Sequence, residues 1–237
     1  MDIDTTYRID SAELMDDFLL EGEELRDALD KIALINRFLG GNRLTLQGVQ
    51  SLLMSPSPKQ NVTIVDVGCG NGDMLRELAQ FGIEKGLKLT LIGIDANTFT
   101  ISHAKSLSVN YPSISYRCED IFDASFSEMT YDIVLCTLTL HHFRNPEILN
   151  LVGVFEKQSK IGVVINDLHR SKIAYRLFQL ICLGFGLKEM PRNDGLVSIL
   201  RGFKKNELEN FSKQLNLKKY TIQWRWAFRY QWIISNI

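Results

Sequence analysis

Little in this sequence points to a cysteine-built framework. The four cysteines, Cys69, Cys118, Cys136 and Cys182, are widely scattered and form no CxxC pair. Their spacing indicates neither a zinc site nor a disulfide scaffold. Cys118 and Cys136 fall in apolar, strand-like runs and read as small core residues. There is no run of about 18 or more apolar residues, so no membrane span is expected. A basic excess is also missing: 27 Lys and Arg stand against 28 Asp and Glu, for a net charge of -1. That balance disfavours a nucleic-acid partner. The opening MDIDTTYRIDSAELMDD is acidic and lacks the apolar centre of a secretory signal, which makes the cytoplasm the expected location. What remains is an ordinary globular composition, 45% hydrophobic and 23% charged over 237 residues. That is enough for one substantial domain with an extension.

Apolar residues from Leu14 through Phe18, Leu25, Leu29, Ile32 and Ile35 to Leu39 recur mostly three, four or seven apart, which predicts helix. Gly40-Gly41-Asn42 should break it, and a shorter helix is expected over Leu46–Met54. Ser55-Pro56-Ser57-Pro58 reads as a linker, dividing a helical cap at 1–58 from a domain at 59–237. Short apolar strands then alternate with helical segments. Strands are expected at 62–67, 87–94, 114–118, 131–136 and 161–165. Fully apolar strands separated by helices mean an α/β domain whose parallel sheet is covered on both faces. A lid-like insertion is expected at about 171–203: an apolar helix from Ile173, then turn-rich sequence around Pro191–Gly195. A helix at Lys204–Leu215 precedes a C-terminal hairpin. In its last strand Trp224, Trp226, Phe228, Tyr230 and Trp232 alternate onto one face.

The most informative segment is Val65-Asp66-Val67-Gly68-Cys69-Gly70-Asn71-Gly72-Asp73. A strand runs into a glycine-rich turn and then a helix. In an open parallel sheet, ligands bind at the carboxyl ends of the strands, where this turn lies. A dinucleotide fingerprint requires a third glycine where Asp73 stands. An acid there is a poor neighbour for a pyrophosphate but suits a ligand carrying an amine and a sulfonium. Asp66 is placed to accept from an ammonium. Asp95 ends the second strand and could take both ribose hydroxyls. Asp120, after the third strand, could accept from an adenine amino group, with Ile121 packed on the ring.

Together these residues resemble the class I S-adenosylmethionine (SAM)-dependent methyltransferases over about Val62–Asp167. The resemblance implies a doubly wound, Rossmann-like, mostly parallel seven-stranded sheet with its last strand antiparallel, and SAM as cofactor. It implies cofactor contacts from Asp66, Gly68, Cys69, Gly70, Asp95, Ala96, Asp120, Ile121 and Thr137. Leu138–Phe143 is similar to the segment after strand four in the ubiquinone/menaquinone-biosynthesis type. Ile35–Arg43, Asn166–Ser171 and Asp194–Phe203 look like a bacterial subgroup found beside type III polyketide synthases.

These resemblances imply a small aromatic or polyketide-like acceptor, methylated at oxygen, with carbon methylation the nearest variant. A base for the acceptor could come from His141, His142 or His169, and Arg43 could reach the SAM carboxylate. His103 is expected to be exposed. No metal is expected, because adjacent histidines diverge and no third ligand stands at ligand spacing. The insertion could wall an apolar pocket and make a peripheral lipid contact. The oligomeric state, monomer or homodimer, stays open. Three other readings are weighed. A macromolecule methyltransferase would carry an Asn/Asp-Pro-Pro-Tyr/Phe motif where Cys136–Leu140 stands. A nicotinamide dehydrogenase conflicts with Asp73 and with a reversed final hairpin. A non-catalytic SAM-fold partner protein has no need to keep the acids at the strand ends.

Overall fold

The computed structural model describes residues 3–54 and 61–237; the expected linker at Ser55–Pro58 and the boundary at 58/59 lie outside them. After an irregular N-terminal segment come α1 (Glu23–Phe38) and α2 (Gly41–Leu53). The α/β part runs β1 (Asn61–Val67), α3 (Asp73–Lys85), β2 (Lys88–Asp95), α4 (Thr98–Leu107), β3 (Ile114–Cys118), α5 (Ala124–Ser127), β4 (Tyr131–Thr137), α6 (Asn145–Gln158) and β5 (Ser159–Leu168). Then follow α7 (Lys172–Gly184), α8 (Glu189–Arg201), α9 (Lys205–Gln214), β6 (Tyr220–Arg225) and β7 (Arg229–Ser235). The seven strands form one sheet in the order β3-β2-β1-β4-β5-β7-β6, with β7 antiparallel to both its neighbours and the remaining pairs parallel.

Local chemistry explains many of the boundaries. Asn97 caps α4 by accepting from Thr100 N–H, and Ser171 caps α7 by accepting from Ala174 N–H. Pro146 sits in the first turn of α6, where a missing N–H costs no helical bond. Gly86, in the left-handed region at φ 65, ends α3. Alternate residues of the central strands feed two separate cores. Ile64, Leu91, Ile133 and Val164 pack with α2 and α3; Val65, Ile94, Val134 and Trp232 pack with α6 and α9. Burial of both faces is why β1 and β4 read as largely apolar runs.

Several expectations change. The helix does not begin near Leu14. Residues 3–22 are irregular apart from a single 3-10 turn at Leu14–Asp16, and Leu14 and Phe18 are exposed. The break falls at Leu39-Gly40, so Gly41 and Asn42 already belong to α2. Pro191–Gly195 is not a turn but part of α8. The aromatic alternation does not lie on one strand: the chain reverses between Arg225 and Arg229, so Trp224 lies on β6 opposite Tyr230 of β7. Cys136 is core, but Cys118 is exposed. His103 is half-buried and pairs with Asp30 at 2.8 Å.

Candidate active site

The carboxyl ends of β1 to β5 open into a cavity of about 1060 Å³. The glycine turn forms its floor. Gly68 and Gly70 take φ of 69 and 51, values that side-chain-bearing residues rarely adopt. A Cβ on Gly68 would also lie 2.3 Å from Thr139 Oγ1, whereas one on Gly70 would meet nothing nearer than Leu29 at 3.9 Å. Gly70 therefore presents bare backbone to the cavity. Gly68 and Cys69 donate to Ile94 C=O at 2.9 and 3.0 Å, tying the turn to β2. Asp95 braces the same turn, accepting from Gly70 N–H at 3.2 Å and Asn97 N–H at 3.0 Å. Burial raises the Asp95 pKa, and those two N–H donors pull against it. Asp66 is buried with one carboxylate oxygen unpartnered. Burial first, then the charges of Asp73 and Asp95, raises its pKa well above the ordinary carboxylate range. An acid held this way favours a ligand that brings a positive charge or hydrogen-bond donors.

The histidines form two His–Asp pairs, back to back. They sit on a 3-10 turn, Leu140–His142, with rings 4.3 Å apart between centroids. His141 is buried. Its Nδ1 lies 2.7 Å from Asp167 Oδ1, and its backbone N–H donates to Asp167 Oδ2. Burial pulls the Asp167 carboxyl up, but His141 and the Leu168 N–H outweigh it and leave its pKa lowered. His142 is half-buried, and its Nδ1 lies 2.5 Å from Asp16 Oδ1. Asp16 is likewise lowered: His142 and Arg201 overcome its burial. Ionised carboxylates only accept, so each Nδ1 donates, and in the neutral ring Nε2 is the atom left as acceptor. The Nε2 of His141 is closed off, 3.6 Å from Glu13 Oε1, and neither atom has a hydrogen-bond partner. His169 differs. Trp224 Nε1 donates to its Nδ1 at 3.2 Å, so the neutral ring carries its proton on Nε2. Burial, with Lys204 and Arg170, lowers its pKa and keeps it neutral.

All three histidines line the cavity, together with Asp66, Gly68, Cys69, Gly70, Asp95, Ala96, Asp120, Ile121 and Thr137. Asp120 Oδ1 accepts from Phe122 N–H, and Thr137 shares a hydrogen bond with Thr45 of α2. Arg43 departs from expectation: it is exposed on α2 and does not line the cavity. The absence of a third ligand beside the histidines holds only along the chain. In space Glu13 joins them, with ligand atoms within 4.8 Å of one another. Arg201, 3.7 Å from Glu13 Oε1, already supplies positive charge beside that carboxylate.

Glu13, Asp16 and Arg201 are the residues that sequence reasoning missed. The N-terminal segment crosses the site on side-chain hydrogen bonds from distant elements. Arg8 donates to the carbonyls of His141, Phe143 and Arg201; Asp194 accepts from Leu14 and Met15 N–H; Arg170 donates to the carbonyls of Thr5 and Thr6. No local pattern announces such a strap. The only available signal is that Asp194 and Arg201 fall in segments quoted for the subgroup resemblance.

Comparison with known proteins bears out the family-level resemblance and the fold. A family model described as "Methyltransferase domain" matches residues 64–162. A ubiquinone biosynthesis O-methyltransferase of Rickettsia felis is 31% identical over 134 residues, covering 55% of this chain and 50% of the relative. One from Hydrogenovibrio crunogenus is 35% identical over 124 residues, covering 50% and 47%. The chain thus spans about half the length of these curated relatives. Among solved structures, the plantazolicin methyltransferase BpumL in complex with SAH superposes with TM-score 0.66 at 20% identity, over 90% of this chain and 89% of that one. The magnesium protoporphyrin IX methyltransferase ChlM from Synechocystis PCC 6803, with bound SAM, gives 0.53 at 14% identity, over 85% and 81%.

Proposed function

We propose that this chain is a SAM-dependent methyltransferase that alkylates a hydroxyl group of a small, apolar aromatic or polyketide-like acceptor. One observation carries the reading. A single cavity brings together the bare backbone at Gly70, the acids at three strand ends, and a histidine whose Nδ1 is held by a carboxylate. The residues present fit the cofactor. The unpartnered Asp66 oxygen suits its ammonium group, Asp95 the ribose, and Asp120 with Ile121 the adenine. When bound, SAM supplies an activated methyl group on a sulfonium.

The chain's own work is positioning and proton removal. Asp16 fixes the tautomer of His142, leaving Nε2 to take the hydroxyl proton. His169 donates from Nε2 and orients the acceptor. His141, clamped by Asp167 and stacked on His142, is a positioning residue. Ile35, Leu177, Phe178, Leu180, Trp226 and Phe228 give the acceptor end its apolar walls, which support the substrate class. The ubiquinone O-methyltransferase relatives support oxygen as the atom methylated.

The test is calorimetric titration with SAM and, separately, NADH, followed by turnover of His142→Gln on phenolic acceptors. SAM should bind and NADH should not. The variant should keep SAM affinity while kcat drops roughly a hundredfold or more. Full turnover by His142→Gln would remove the base from the mechanism. Failure to bind SAM would overturn the enzyme reading and revive a non-catalytic partner protein.

A further inference from the structure

Four long stretches contain neither Asp nor Glu: residues 31–54, 96–118, 168–188 and 210–237. The first, third and fourth meet at the cavity mouth. Phe38 of α1 packs edge-on against Phe185, just after α7, with centroids 5.6 Å apart. Lys31 Nζ reaches Gly186 C=O at 3.3 Å. Trp224 of β6 donates to His169, shortly before α7 begins. Ile32, Leu177, Leu180 and Trp226 line the cavity and also stand exposed, so its apolar wall continues onto the outer surface. There the apolar face extends through Phe38, Ile173 and Leu183, which are 73%, 62% and 80% exposed and do not line the cavity.

Cations accompany this face. Arg37, Lys172, Arg176 and Lys188 are all exposed. The acids near these cations are Asp27, 3.6 Å from Lys188, Glu189, and Asp4, whose carboxyl Thr6 and then Lys172 help to hold low. The acids that line the cavity, among them Asp16, Glu119, Asp120 and Glu147, come from other segments. An amphipathic helix with an exposed apolar stripe and basic flanks is suited to lie in a lipid interface, and tryptophans favour the same depth. A rim that is apolar and carries four exposed cations is complementary to anionic headgroups.

We infer that the face formed by α7, the end of α1 and the β6–β7 turn docks on an anionic lipid surface, so that the cavity mouth opens toward the bilayer. Docking rests on the surface alone. The entry of an apolar acceptor from the lipid rests on the methyltransferase reading above.

The experiment is co-sedimentation of the full chain with vesicles of phosphatidylcholine, with and without phosphatidylglycerol. Calorimetry with SAM is run on the same samples. The wild type should pellet with the anionic vesicles and stay in solution with the neutral ones. Ile173→Glu/Leu183→Glu should lose vesicle binding and keep SAM affinity. Lys172→Gln/Arg176→Gln should bind anionic vesicles more weakly, by roughly fivefold for each charge removed. The inference is overturned if the wild type ignores anionic vesicles, or if Ile173→Glu/Leu183→Glu binds them as tightly as the wild type. Equal binding to both vesicle types would remove its electrostatic half. Vesicle binding without SAM binding would overturn the methyltransferase reading and leave the docking intact.

Discussion

Replacing Glu13 by Gln should stabilise the protein, and the gain should depend on pH. Glu13 is 6% exposed, and one of its oxygens has no hydrogen-bond partner. Burial pushes its carboxyl up to about 7 from an ordinary 4.5, against the pull of His142, Ser198 and Arg201. A raised acid favours folding only while it is protonated. That contribution is fully present below about 4.5 and is lost as pH rises through about 7. At about 1.4 kcal/mol per pH unit, the interval is worth about 3 kcal/mol. Glutamine stays neutral throughout and keeps an oxygen for the Ser198 hydroxyl, which donates to Glu13 Oε2 at 2.7 Å. Urea unfolding of both proteins at pH 5 and pH 8 measures the effect. The variant's advantage should grow by about 2.5 kcal/mol between the two, or roughly 5–10 °C in Tm for a chain of this size. An advantage that does not change with pH would refute the reasoning, because it would mean that Glu13 ionises as readily in the folded chain as in the unfolded one.

Two further outcomes are expected. Asp95→Ala removes an acceptor that braces Gly70 N–H and lines the cavity, and should weaken SAM binding by tenfold or more in calorimetry; unchanged affinity would displace the ribose from this acid. Arg170→Met strips a fully buried guanidinium from the carbonyls of Thr5, Thr6 and Gly202 and from Glu207. It should cost about 3–5 kcal/mol in urea unfolding and speed proteolysis within residues 5–20, and a loss under about 1 kcal/mol would contradict that role.

How much of this was legible depended on where the determining contacts lie. The strands were readable because Val62–Val67 and Tyr131–Cys136 are buried on both faces, so composition alone marks them. Helix α8 was hidden by residues that usually signal turns. Pro191 is harmless in the first turn, where its N–H would have no helical acceptor. Gly195 is small because α7 packs on it: a Cβ there would lie 2.4 Å from the Phe178 ring. The final turn was hidden because Trp226-Ala227-Phe228 contains no glycine or asparagine, and the aromatic alternation runs straight through it. That Asp66, Asp95 and Asp120 line one cavity was readable because each stands at or just after the end of its own strand. The His–Asp pairs were not, since their partners are 26 and 126 residues apart.

The strap that crosses the site has a consequence for how the chain assembles. Its anchors, Arg170, Asp194 and Arg201, lie 164 or more residues downstream of the backbone they hold. Contacts of such sequence separation are slow to form, because the whole intervening chain must be ordered first. During synthesis residues 5–16 leave the ribosome well before β5 and α8, which seat them. This wall of the cavity is therefore closed by a segment that must wait for elements made more than 150 residues later.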